Sequence, residues 1–119
     1  MAPDHGLSAR QVDLVRRILA PFADRIERVD LFGSRATGRH RPNSDVALSI
    51  RGSLLERDAD RLWTLFRESA LPVSVDVADY ARIAHAPLRA HIDRVARPLF
   101  TRGDFSTAET AAEGSIHGG

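Results

Sequence analysis

Three short stretches of this chain alternate apolar with polar residues, and runs of helical periodicity surround them. Over 26–32, Val29 and Leu31 alternate with Arg28 and Asp30; over 45–50, Val46, Leu48 and Ile50 alternate with Asp45, Ala47 and Ser49; over 73–78, Val73, Val75 and Val77 alternate with Ser74, Asp76 and Ala78. A period of two places one face of each stretch in a core and leaves the other for polar work. Between and around these stretches apolar residues recur at three and four: Val12, Val15, Ile18, Leu19 and Phe22; Leu55, Ala59, Leu62, Trp63 and Phe66; Leu88, Ile92 and Val95. That is the helical stripe. The order helix, strand, strand, helix, strand, helix predicts a small α/β (α+β) domain, a mixed sheet flanked by helices. A length of 119 residues allows one domain with a core of its own.

Local punctuation sets the boundaries. Ser8 with Gln11 is a capping box, and Leu7 against Val12 fits a hydrophobic staple, so the first helix is expected over 8–20, with Pro21 limiting it. Ser53 with Glu56 reads as a second capping box, opening a helix that runs to about Ser69 ahead of Pro72. Pro87 marks the start of a last helix that stops before Pro98. From Gly103 the chain is rich in Gly, Ala, Ser and Thr without periodicity. The expected division is therefore a domain over 1–102 and a flexible tail over 103–119.

Composition removes several kinds of chemistry. All 17 basic residues are Arg, and there is neither Lys nor Cys. Schiff bases, a Walker-type phosphate lysine, thiolate zinc sites and disulfides are excluded. Sixteen acidic residues leave a formal net charge of +1, which argues against a broad nucleic-acid-binding face. The longest apolar runs fall far short of a membrane span, and the first six residues lack a signal pattern. The expectation is a soluble cytoplasmic protein with no membrane partner.

The stretch that carries chemistry runs from Gly33-Ser34 through Arg35, Gly38 and Arg39 to Asp45. A Gly-Ser pair at the end of a strand, opening a helical turn, offers backbone N–H groups and a hydroxyl to a phosphate. Asp45 begins the second strand and Asp76 lies on the third. On neighbouring strands both carboxylates project from one face towards the Gly-Ser turn. Either Asp alone is ordinary, one capping a turn and the other facing solvent. Together, beside a phosphate cradle, they suggest magnesium, which takes one or two carboxylates plus substrate phosphates.

Leu31-Phe32-Gly33-Ser34-Arg35-Ala36, then Gly38, then Ser44-Asp45 resembles the minimal nucleotidyltransferase domain of the DNA polymerase beta superfamily. The pattern there is Gly-Ser, ten residues, then Asp-x-Asp, and residues 35–44 supply the ten. Val75-Asp76-Val77 resembles the strand bearing a third carboxylate, and 88–100 the closing helix with its short hydrophobic end. The resemblance spans about 26–101 and implies the polymerase-beta-like nucleotidyltransferase fold. It implies ATP as substrate, Mg²⁺ as cofactor, Gly33 and Ser34 as triphosphate binders, and Asp45 and Asp76 as metal ligands and catalytic residues. One position departs: Ala47 stands where the second Asp belongs. Residues two apart on a strand face the same way, about 6.6 Å apart along it, so Ala47 points correctly but brings no oxygen. This form is therefore expected to be strongly impaired, whether as a natural pseudoenzyme or as an Asp→Ala variant of an active chain.

Many short members of the family this chain resembles are antitoxins paired with a HEPN-type RNase toxin, which they neutralise by AMP transfer to a toxin tyrosine, by tight binding, or by both. The resemblance thus implies a toxin partner and a hetero-oligomer. The competing reading is a non-catalytic protein-binding module with a vestigial nucleotide site. Small-molecule nucleotidylation is a third, disfavoured because the chain has little room for a substrate domain. Elsewhere, the run Arg35, Arg39, His40, Arg41 divides evenly between a solvated loop and a phosphate-attracting one. His5, His85, His91 and His117 read as surface histidines, Trp63 as core, and Tyr80 as structural or as bordering a nucleotide pocket.

Overall fold

A computed structural model describes residues 5–105. Helix α1 spans Ala9–Leu19. Its capping box forms as the sequence requires: Gln11 N–H donates to Ser8 Oγ at 3.1 Å and Ser8 N–H to Gln11 Oε1 at 2.9 Å. Pro21 lies in a 3-10 turn, Ala20–Arg25, that ends the helix and delivers the chain to strand β1, Ile26–Phe32. The short helix α2, Ser34–Thr37, follows at once, then β2, Val46–Gly52, α3, Glu56–Arg67, β3, Val75–Asp79, α4, Ala86–Val95, and β4, Arg97–Thr101.

The sheet runs β3-β2-β1-β4. β1 is antiparallel to both β2 and β4, while β2 and β3 are parallel, so the sheet is mixed as expected. Val29, Leu31, Val46, Leu48, Ile50 and Val75 cover one face and are buried together with Val15 and Leu19 of α1 and Leu62 and Phe66 of α3. The opposite face carries Asp30, Phe32, Ala47, Ser49 and Asp76, and α4 lies against it: His91 meets the Phe32 ring edge-on at 6.4 Å.

Four expectations are corrected. The Ser53–Glu56 box does not form; α3 starts later, and Asp58 caps it by accepting the Leu55 N–H at 2.9 Å. Asp58 is fixed there by Arg25, whose Nη1 lies 3.0 Å from both carboxylate oxygens. Trp63 is not core but 51% exposed, since it sits at the margin of the stripe that Leu62 and Phe66 bury. The last helix is followed by a fourth strand, although Pro98 within it cannot donate to a ladder. Finally, packed structure passes the expected boundary at 102. Residues 102–105 form a helical turn in which Phe105, 1% exposed, packs on Phe100 at 5.6 Å between centroids. The rest of the expected tail, His117 included, lies outside the described residues. Among those described, no helix is long and apolar enough to cross a membrane.

Candidate active site

β1 ends in Gly33, whose φ of 73° and ψ of −153° belong to a region that residues with a Cβ avoid. This bend turns the chain from the sheet directly into α2. A Cβ placed on Gly33 would lie 3.7 Å from the Ala47 Cβ, an ordinary contact. Conformation, not crowding, therefore demands glycine here, and the Gly-Ser bend sits beside position 47.

The register then sets out the site. Phe32 pairs with Ala47 across β1 and β2, and Ala47 pairs with Asp76 across β2 and β3. Partners in a ladder share a face, so Phe32, Ala47 and Asp76 form one row. Asp45, immediately before β2, lies two residues ahead of Ala47 and on its parity. Both Asp45 and Asp76 are exposed. Gly33, Ser34, Thr37, Arg39 and His91 line a cleft of about 500 Å³ at the end of this row.

Arg35 answers the question of the basic run in a way neither alternative foresaw. It is 2% exposed. Its guanidinium donates to the Ser44 carbonyl at 2.8 and 3.2 Å, to the His5 carbonyl at 2.9 Å and to the Pro42 carbonyl at 3.4 Å. Burial pulls its pKa below the usual guanidinium value, and the Asp45 carboxylate opposes that shift. Arg35 thus clamps the connection that ends at Asp45. Ser44 reinforces it, its Oγ accepting from the Arg41 N–H at 2.8 Å. Of the basic run, Arg39 lines the cleft. His91 was missed as a lining residue because only the docking of α4 brings it to the Gly-Ser bend.

Behind the row lies a polar layer. Asp30 is fully buried. Its Oδ1 accepts from Arg28 Nε at 2.7 Å, a hydrogen bond that raises the Arg28 pKa. Its Oδ2 lies 3.8 Å from Arg51 Nε and, like Ser49 Oγ, has no hydrogen-bond partner. Arg51 reaches Asp93 of α4 at 3.3 Å and stacks 3.8 Å from the Tyr80 centroid. Tyr80 donates its hydroxyl to Asp93. This places Tyr80 in the frame that holds α4.

For a metal the donors present are few. Among the described residues no group of three or more His, Asp or Glu is arranged to hold an ion. The exposed carboxylates beside position 47 are those of Asp45 and Asp76. A two-ion clamp needs a shared carboxylate, and position 47 offers a methyl group.

No family profile and no curated protein matches the sequence. Solved structures do. A crystal structure of a toxin–antitoxin with AMP-PNP matches at TM-score 0.63 and 18% identity, over 90% of this chain and 90% of that one. A mutant of the toxin–antitoxin MntA-HpeT, with two aspartates two residues apart changed to glutamate, matches at TM-score 0.61 and 18% identity, over 90% of this chain and 89% of that one. The chain has the nucleotidyltransferase fold. Within the nucleotidyltransferase fold of this chain, the Gly-Ser bend closes β1, and Asp45 and Asp76 flank the alanine of β2.

Proposed function

We propose that this chain is a nucleotidyltransferase-type antitoxin. It neutralises a HEPN-type RNase toxin by transferring AMP from ATP to it, by binding it directly, or by both, and Ala47 leaves this form impaired in transfer. The observation that carries the reading is the row Phe32, Ala47, Asp76, with the Gly33 bend and Asp45 beside it and a cleft at the Gly-Ser end. The toxin–antitoxin structures that share its fold over nine-tenths of their length support it.

In the active form Gly33 and Ser34 hold the triphosphate, with Arg39 adding positive charge. Asp45 and Asp76 would hold Mg²⁺, which when bound neutralises phosphate charge. The acceptor hydroxyl, on a toxin tyrosine, attacks the α-phosphorus. An O–P bond forms, the bond from the α-phosphorus to the β-bridging oxygen breaks, and pyrophosphate leaves. Asp76 accepts the hydroxyl proton. Phosphoryl-type transfer depends on position and charge, so a missing carboxylate at 47 should cost at least about 10–100-fold, the usual loss for a ligand's supporting partner alone.

The test is Ala47→Asp, incubated with labelled ATP, Mg²⁺ and the protein encoded beside this one. The expected result is label on that protein, at a rate at least about 10–100-fold above the Ala47 form. Neutralisation that persists with no label on any protein would refute transfer. It would establish the second reading, favoured by Ala47 itself: a binding module with a vestigial nucleotide site.

A further inference from the structure

The site has a direction. Gly33 and Ser34 close β1, Ala47 lies next on β2, and Asp76 follows on β3, the edge of the sheet. At that edge Trp63, Arg67, Ser74, Val75 and Asp76 line a second cleft, of about 170 Å³. Trp63 is the only tryptophan of the chain and one of two large apolar residues left exposed among those described, the other being Leu55 at the N-cap of α3. The Arg67 guanidinium lies 4.7 Å from its ring centroid. The lining thus combines an exposed indole, a guanidinium over its ring and an exposed carboxylate, chemistry that suits a planar group with a polar end.

We infer that this cleft receives the hydroxyl-bearing side chain of the protein acceptor, with Trp63 and Arg67 as its platform. The inference rests on the nucleotidyl-transfer reading above. In-line displacement sets the attacking and leaving oxygens on opposite sides of the phosphorus. The leaving pyrophosphate belongs to Gly33 and Ser34, so the attacking oxygen enters from the β3 side, over Asp76, which takes its proton. A volume of about 170 Å³ is below the roughly 300–1,000 Å³ of sites that enclose whole small molecules. It suits one side chain of a larger partner. The two clefts thus divide the reaction: the wider one holds the nucleotide's phosphates, the narrower one selects the acceptor.

The experiment uses the full chain carrying Ala47→Asp, labelled ATP, Mg²⁺ and the protein encoded beside it. Adding Trp63→Ala should raise KM for that protein at least about tenfold and leave KM for ATP unchanged, and Trp63→Phe should restore most of the loss. Because Trp63 is the sole tryptophan, its emission, taken as the difference from the Trp63→Phe chain, should shift when the partner is added. It should stay constant with AMP-PNP and Mg²⁺ alone. A shift with the nucleotide alone, or a KM effect on ATP, overturns the assignment and gives the cleft to the nucleotide. Unchanged emission while the partner binds overturns it as well. Absence of label from every form strikes the transfer reading instead, and the emission measurement still decides whether the partner occupies the cleft.

Discussion

The two faces of the sheet are built from the same four strands and obey different rules. On one, Val29, Leu31, Leu48 and Ile50 meet α1 and α3 in a closed apolar layer. On the other, Asp30 is buried with one oxygen unpartnered, Ser49 is buried without a hydrogen bond, and the row ends in exposed Asp76. Burial of apolar area stabilises by roughly 25 cal/mol per Å², whereas a buried unpaired polar atom costs about 1–3 kcal/mol. The first face therefore holds the fold together. The second face gives up part of that stability to buried polar groups. Alternation lets each strand do both, because every second residue is released from packing duty.

That division can be broken by experiment. Leu48→Ala, at a fully buried position, should cost about 2–5 kcal/mol, read as a lower midpoint in urea. It should leave nucleotide affinity of the folded protein unchanged. Asp30→Asn should cost about 1–3 kcal/mol, since Arg28 and Arg51 lose their carboxylate. If the asparagine protein unfolds as readily as the Leu48→Ala protein, the polar face is as much a foundation as the apolar one, and the division fails. The smallest effect belongs to α1, remote from the polar face. Ser8→Ala removes a cap worth about 1 kcal/mol, and thermal melting should register it with no change in binding.

Much of this was legible from residue order. The three alternating stretches became β1, β2 and β3, and the Ser8–Gln11 box starts α1, because period two and a side-chain cap are local properties. What escaped was set by distant contacts. β4 was hidden by Pro98, a residue that usually denies a strand, and the proline is tolerated because β4 is an edge strand paired only with β1. Arg35 looked like one charge in a run, and only the folded chain shows three carbonyls gathered around it. The stripe of α3 was visible, but not that Trp63 falls at its margin while Leu62 falls at its centre. Around the cleft, the Gly33-Ser34 bend and the strand positions of Asp45 and Asp76 could be placed from residue order. His91 could not, since it enters from a helix more than fifty positions downstream.

Pro98 has one more consequence. It pairs with Asp30 in β4, the terminal strand of the sheet, and contributes no N–H to anything lying alongside. An outer row with a missing donor is a poor template for another extended chain. Among the described residues that flank is therefore blunted against stacking of copies into fibres, and the β3 edge is left without such a proline.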